Sequence, residues 1–289
     1  MSRVLLCGSR GFIGRHIAAQ LRAQGHEVLE SHRLGIDFSR DLAPADWRPR
    51  LAGLDAVVNA VGVLRSSAAR PMEAVHHRAP AALFEACAEQ GLRRVIHISA
   101  LGIEGSATEY ARSKRAGDAV LLSLREQGRL DGCVLRPSIV FGRGGASSRM
   151  FMQLARLPLL VLPAAALRAR VQPVAVQDLA QVCARLLAAH PPGPALLHAV
   201  GPRALTLAEF VAVLRRADGA GPARVLALPD WLSRASARAG DHLPMQPWCR
   251  ETLALLQQDN VADAAPFQAW LERPPIAPEQ LRELAWDSV

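Results

Sequence analysis

The sequence predicts an α/β protein, a doubly wound parallel sheet followed by a smaller, mostly helical C-terminal substrate lobe, and three observations carry that prediction. Across the first two hundred residues, short runs rich in Val, Leu and Ile alternate with longer amphipathic stretches. That is the pattern of strands buried on both faces beneath crossover helices. A loop with three regularly spaced glycines stands directly after the first of those runs. From about Gly142 proline becomes frequent and helical patterns take over. Two domains are therefore expected, 1–142 and 143–289, with 170–201 able to contribute a strand or helix to the first.

The expected strands are "RVLLC" (3–7), "EVLES" (27–31), "DAVVNA" (55–60), "RVIHIS" (94–99) and "GCVLR" (132–136). Each is short, apolar and rich in Val, Leu or Ile, as a strand covered on both faces must be. Helical patterns at 12–24, 72–90 and 108–127 lie between them. Beyond 142, helices are expected near 176–189, 206–217, 229–239 and 247–258. "VQPVAV" (171–176) and "ALLHAVG" (195–201) are strand-like and either return to the main sheet or pair in the second lobe.

"CGSRGFIG" (7–14) links the first strand to the first helix with a G-x-x-G-x-x-G spacing. Gly8 permits a tight turn, Gly11 lets backbone approach a pyrophosphate, and Gly14 allows the helix to pack closely. The helix N-terminus offers unpaired N–H groups to the anion. In that strand–loop–helix setting the glycines indicate a Rossmann-type dinucleotide site, with Gly8, Ser9, Arg10, Gly11, Phe12, Ile13 and Gly14 as candidate cofactor-binding residues. A carboxylate at the end of the second strand would suit NAD, and arginine a 2′-phosphate. The chain reads "EVLESHR", with His32 and Arg33 at the expected strand end and Glu30 within the strand. Arg33 and Arg10 together therefore favour NADP(H) over NAD(H).

Composition removes several other functions. At 289 residues, 50% hydrophobic and 21% charged, the chain is ordinary for a soluble globular protein. Its five cysteines (7, 87, 133, 183, 249) are odd in number, scattered and free of any C-x-x-C pairing, which fits a reducing cytoplasm. The nine histidines show no H-x-x-x-H spacing, so no metal is expected; His76 and His77 are read as surface residues on different sides of a helix. The net charge of +8 comes from scattered arginines with few aromatics. That argues against nucleic acid while favouring anionic ligands. Met1–Gly14 has no secretory-signal pattern, and "LPLLVLPAAAL" (157–167) is too short to span a bilayer.

"YARSK" (110–114) holds the only tyrosine and the only lysine; the other 33 of the 34 basic residues are Arg. Four residues apart on a helix, Tyr110 and Lys114 share a face. A phenol with pKa near 10 is a poor base at neutral pH, and an adjacent ammonium stabilises its phenolate. Lys can also donate to ribose hydroxyls as a compact point charge, which a planar guanidinium does less well. Ser99, at the end of the strand before this helix, is the candidate for polarising a substrate carbonyl. Tyr110, Lys114 and Ser99 are thus the candidate catalytic residues, and Tyr110 and Lys114 also border the cofactor.

"CGSRGFIG", "DAVVNAVG", "HISALG", "YARSK" and "LRPSIVFGRG" resemble the short-chain dehydrogenase/reductase superfamily, in its atypical or extended branch. Within it, the chain more closely resembles bacterial NAD-dependent epimerase/dehydratase family proteins related to the NADPH-binding accessory subunit of respiratory complex I. It covers nearly the whole chain, including "VQPVAVQDLA" (171–180) and "GPRALTLAEF" (201–210). The resemblance implies that Asp37 and Phe38 flank the adenine. It implies too that Ala60, Val61 and Gly62 line the ribose and that Pro137 shapes the nicotinamide site. Asp178 is read as a helix cap rather than a chemical group. Two departures stand out. The serine that does chemistry in sugar-nucleotide epimerases falls at Leu101 as readily as at Ser99, with Ser106 or Thr108 as substitutes. "HHRAP" (76–80) stands where many relatives have an Asn in the proton relay.

Three functions follow as expectations. The first is an NADP(H)-dependent oxidoreductase acting on a carbonyl or alcohol. The second is an epimerase or dehydratase that uses its cofactor transiently. The third is a cofactor-binding structural or assembly protein, stabilised by its ligand without turnover. The small-molecule substrate and the oligomeric state stay open.

Overall fold

The structure, a computed structural model, describes residues 1–241 and 248–286. Along the first part of the chain run β1 (Arg3–Cys7), α1 (Phe12–Ala23), β2 (Glu27–Glu30), α2 (Pro44–Leu51), β3 (Ala56–Asn59), α3 (Ala79–Glu89), β4 (Arg94–Ile98), α4 (Glu109–Glu126) and β5 (Asp131–Pro137). Then come β6 (Val140–Phe141), α5 (Ala146–Arg156), β7 (Leu159–Pro163), β8 (Arg170–Val171), β9 (Val174–Ala175), α6 (Val176–Ala188), β10 (Leu196–Ala199) and β11 (Leu205–Thr206). The last elements are α7 (Leu207–Ala217), β12 (Arg224–Leu228), α8 (Asp230–Asp241), α9 (Arg250–Leu255), α10 (Ala265–Leu271) and α11 (Leu281–Trp286). The chain divides into two compact units, Met1–Pro137 with Leu179–His198, and Ser138–Asp178 with Ala199–Val289. Residues 138–142, assigned by sequence to the first domain, group with the second unit, and 179–198 return to the first.

A six-stranded sheet in the order β10-β5-β4-β3-β1-β2 organises the first unit, and its strands run parallel. Parallel strands need crossover helices, which cover both faces and so demand apolar side chains on each. Val4, Leu5, Leu6 and Cys7 of β1 are accordingly all buried, as are Val57 and Val58 of β3. Leu5, Val57, Val95 and Val134 pack in one cluster with Trp47, Leu83, Phe84, Leu121 and Leu124 from the helices. Because β2 and β3 flank β1 on opposite sides, the winding reverses between β1 and β3. At such a switch point the crossovers leave a crevice beyond the carboxyl ends of the strands.

Several boundaries differ from expectation for identifiable reasons. The strand expected over 27–31 ends at Glu30, paired to Leu6, and Ser31–Leu34 turn into a short 3-10 helix carrying His32 and Arg33. Glu30 is therefore the last residue of β2, not an interior one. Helix α2 was not legible because Pro44 and Pro49 interrupt it, although Pro44 at its first turn lacks nothing a first-turn residue needs. The helical stretch expected over 72–90 contains a π-turn at Ala74–Arg78 before α3, a feature with no local sequence signal.

In the second unit, Phe141, Phe151 and Phe210 form edge-to-face pairs at 5.6 and 5.3 Å. Leu160, Leu162, Val211, Leu214 and Leu281 pack around them. The apolar run 157–167 becomes β7, parallel to β12. "VQPVAV" splits into β8, paired with β11, and β9, paired with β6, while β10 joins the main sheet. Thr206 caps α7 reciprocally with Glu209. Helices α5, α10 and α11 were not anticipated, and the first residue of the helix expected over 247–258 lies outside the described residues, as do 242–246 and 287–289 of the expected second domain. Asp178 does not cap a helix: its buried carboxylate accepts from Arg273 Nη2 at 2.6 Å and Ile276 N at 2.7 Å. A carboxylate buried in apolar surroundings needs such donors, and here they come from a segment almost a hundred residues away. Among the described residues, no helix is long and apolar enough to cross a membrane.

Candidate active site

The candidate residues of the first unit gather at the carboxyl ends of the strands because each follows a strand of one parallel sheet. Gly8–Gly14 follow β1, Ala60–Gly62 follow β3, Ser99 follows β4, and Pro137 ends β5. The glycine loop meets the β3 loop directly. Gly8 has φ +83°, and a Cβ on it would stand 2.8 Å from the Ala60 carbonyl oxygen. A Cβ on Gly14 would collide with the Gly8 carbonyl oxygen, so α1 sits against the loop as its spacing implies. The first turn of α1 carries no acidic residue and Gly11, its N-cap, supplies no side-chain cap. The N-terminus of α1 thus keeps its backbone N–H groups free of a side-chain cap, with no acidic side chain in the first turn to repel an anion. Replacing Gly8 by Ala is expected to cost more than the roughly 1–2 kcal/mol of left-handed backbone alone, because the Ala60 carbonyl must also move; urea denaturation measures it.

The sequence offers Arg10, Arg33, Asp37 and Phe38 to an adenosine. Arg10 and Arg33 are both exposed. Glu30, however, accepts from Ser9 Oγ at 3.0 Å and from Arg22 Nη2 at 2.5 Å. The Arg22 bond chiefly lowers its pKa, with Ser9 and the charges of Arg22 and Arg33 assisting. A carboxylate therefore stands at the glycine loop, where the sequence alone placed it inside a strand. Asp37 is exposed and accepts from Ser39 N and Oγ at 2.9 and 2.7 Å in a local turn. Phe38 is buried and packs edge-on against Trp47 at 5.3 Å.

Thr108 caps α4 by accepting from Ala111 N at 3.2 Å, and Ser106 Oγ lies 3.1 Å from its hydroxyl. That cap starts the helix so that Lys114 is buried and its Nζ donates to the Ile98 carbonyl at 3.2 Å, at the end of β4. A Cβ on Gly62 would stand 3.3 Å from the same nitrogen, so the ammonium faces the β3 loop. Burial pulls Lys114 down to about 8 against a smaller opposing push from Asp118. Burial, and secondarily Asp118, pushes Tyr110 up to about 12. The lowering of the phenol expected from Lys114 is therefore outweighed in the protein itself, because desolvation disfavours the phenolate.

The reading of His76 as a surface residue is overturned. His76 is fully buried in the π-turn, its ring edge-on to Tyr110 at 5.4 Å. Its Nε2 accepts from Val63 N at 2.9 Å, which leaves the proton on Nδ1, 2.9 Å from Ser113 Oγ. Burial, aided by the charge of Lys114, takes its pKa down to about 3, so the ring is neutral. His77 is partly exposed and bonded to Glu73.

Ser99 is buried and its hydroxyl donates to Asp118 Oδ2 at 2.9 Å. Arg136 Nε donates to the same oxygen at 2.8 Å and pairs with Glu104 at 2.6 Å. Leu101 is buried too, its N–H bonded to the Pro137 carbonyl at 2.8 Å. Sequence reasoning missed His76, Asp118 and Arg136. Only Asp118 had a readable signal, standing one further turn beyond Tyr110 and Lys114 on the same helical face.

Comparison with known proteins identifies the family. Residues 4–196 match the NAD dependent epimerase/dehydratase family. A ceramide reductase of Caulobacter vibrioides is 27% identical over 190 residues, 61% of this chain and 58% of that protein. The mouse (Mus musculus) NADH dehydrogenase [ubiquinone] 1 alpha subcomplex subunit 9 is 26% identical over 47% of this chain and 40% of its own length. The chain thus matches roughly half of these relatives. The structure of RMD from Pseudomonas aeruginosa complexed with NADPH superposes with TM-score 0.67 at 17% identity, covering 98% of this chain and 97% of that one. At that identity the likeness speaks to the fold.

Proposed function

The chain belongs to the NAD dependent epimerase/dehydratase family, and from that membership we propose an oxidoreductase that moves hydride between NADP(H) and a carbonyl or alcohol, with Tyr110 as acid/base. One observation carries the reading. The only tyrosine and the only lysine share a helix whose buried ammonium is held against the Ile98 carbonyl and Gly62, at the carboxyl ends of β4 and β3. The dinucleotide, when bound, supplies or accepts the hydride. Gly8–Gly14 cradle its phosphates, Ala60–Gly62 and Lys114 border its ribose, and Pro137 borders its nicotinamide. Tyr110 passes a proton between its hydroxyl and the substrate oxygen, and Lys114 stabilises the phenolate that results. Held at about 12, the phenol enters as a proton donor, which suits carbonyl reduction. Likeness to a ceramide reductase supports the same direction. Ser99 acts here through Asp118, while Ser106 and Thr108 order the start of α4.

NADP(H) is preferred because the exposed Arg10 and Arg33 can meet a 2′-phosphate, while the Glu30 carboxylate at the glycine loop is partly neutralised by Arg22 and bonded to Ser9. Calorimetry is expected to show tighter binding of NADPH than NADH. Arg10→Ala and Arg33→Ala should each cost about 1.5–3 kcal/mol with NADPH and together erase the preference. Glu30→Gln should sharpen it by removing a like charge. Equal affinities in the parent protein would refute the assignment.

Likeness to the complex I subunit favours a second reading, a non-catalytic structural or assembly protein that holds its cofactor. An epimerase or dehydratase that uses the cofactor transiently is the third. Mass spectrometry of ligand released from the purified protein, then a screen of carbonyl compounds for NADPH consumption, separates them. Consumption supports the oxidoreductase; retained cofactor with no consumption supports the structural protein. The buried, unpaired thiols fit placement in the reducing cytoplasm.

A further inference from the structure

We propose that Asp118 is the positioning residue of the Tyr110–Lys114 pair, acting as the buried counter-charge of Lys114 and as the point where α4 is tied to the strand ends that carry the rest of the site. The proposal rests on the reading of Tyr110 and Lys114 as the reacting pair, but its test needs neither substrate nor turnover.

Asp118 is 1% exposed and stands one turn beyond Lys114, on the same face of α4. Its Oδ2 accepts from Ser99, after β4, and from Arg136 of β5. Its Oδ1 faces His97 Nε2 at 3.5 Å, and among the described residues neither atom has a closer partner. The other nitrogen of His97 lies 3.2 Å from Asn59 Nδ2, which can only donate. The imidazole proton is thereby placed on Nε2, pointing at Asp118. Asn59 Oδ1 in turn accepts from Val61 N at 3.1 Å, on the β3 loop. One carboxylate thus joins α4 to the ends of β3, β4 and β5, and each of those elements carries a candidate site residue.

The charges around it assign its partner. His76 and His97 are neutral, since burial pushes both well down. Arg136 has a second carboxylate, Glu104, at 2.6 Å. Tyr110 is protonated. Lys114 donates to the Ile98 carbonyl at 3.2 Å and has Asp118 as the charge that favours its ammonium. A buried ammonium without such a charge sheds its proton.

The single lysine and single tyrosine make the test direct. Growth on ε-13C-lysine gives one side-chain signal whose pH titration reports Lys114, and tyrosinate absorbance reports Tyr110. Asp118→Asn is expected to lower the Lys114 pKa further below about 8, by on the order of one unit, with Tyr110 falling as well. Asp118→Glu, which keeps the charge, should restore Lys114. A clamp that merely held the helix would act oppositely, because loosened packing admits water and moves Lys114 up towards its ordinary 10.5. An unchanged or raised Lys114 overturns the proposal. Should Asp118→Asn fail to fold, the double variant with Lys114→Met removes the charge that Asp118 balances and is expected to fold. Failure of that rescue overturns it too.

Discussion

Tyr110→Phe is expected to leave NADPH affinity almost unchanged while slowing turnover roughly 10²–10⁴-fold, the usual contribution of a positioned acid/base. The substitution removes one oxygen and keeps the ring that packs edge-on against His76, so the π-turn and α4 should stay in place. Because the chain has no other tyrosine, loss of tyrosinate absorbance at alkaline pH verifies the variant. In the parent protein the same signal should rise only towards pH 12. Normal turnover by Tyr110→Phe on a substrate from the carbonyl screen would rule out the acid/base role. Lys114→Arg should be nearly as harmful, since a guanidinium is bulkier and planar, and Lys114 has Gly62 and the Ile98 carbonyl against it.

Lys114 is also expected to leave a separable mark on the alkaline pH dependence of stability. Its pKa is about 8 folded against an ordinary 10.5, so between those values the unfolded chain binds the extra proton. Its own contribution to stability therefore rises with pH across that window, by ~3 kcal/mol in full, and is lost again as pH falls through 8. Tyr110 acts in the opposite sense: its folded pKa is raised from 10.0 to about 12, so its contribution is complete below 10 and lost as pH climbs to 12. Above pH 9 the thiols of Cys7, Cys87, Cys133 and Cys183, all pushed up by burial, lower the stability of both proteins as pH rises, so from pH 7 to 10.5 the parent's denaturant midpoint should climb relative to that of Lys114→Met. Parallel curves for the two proteins would show that the buried ammonium is not the source. Residual structure in the unfolded chain lowers the figure without changing its sign.

The sequence by itself determined the parts of this protein that depend on short-range periodicity. Apolar runs covered on both faces marked β1, β3, β4 and β5, because a parallel sheet leaves no solvent-facing side. The spacing of Gly8, Gly11 and Gly14 marked the loop after β1, and four-residue spacing put Tyr110 and Lys114 on one helical face. Only the tertiary structure decided which buried polar groups meet. His76 reads as a surface histidine until a π-turn, which has no local signal, rotates it into the interior against Tyr110. Glu30 reads as an interior strand residue until β2 ends on it, paired to Leu6, and leaves its carboxylate on Ser9. The Ser99 hydroxyl donates its hydrogen bond to Asp118, nineteen residues on, a partner no local pattern names, and Asp178 reads as a cap until Arg273 and Ile276 close on it. In each case the deciding partner is distant in sequence or the backbone departs from its regular period. A buried donor or acceptor must be satisfied by whatever the fold brings to it, and no local pattern records what that will be.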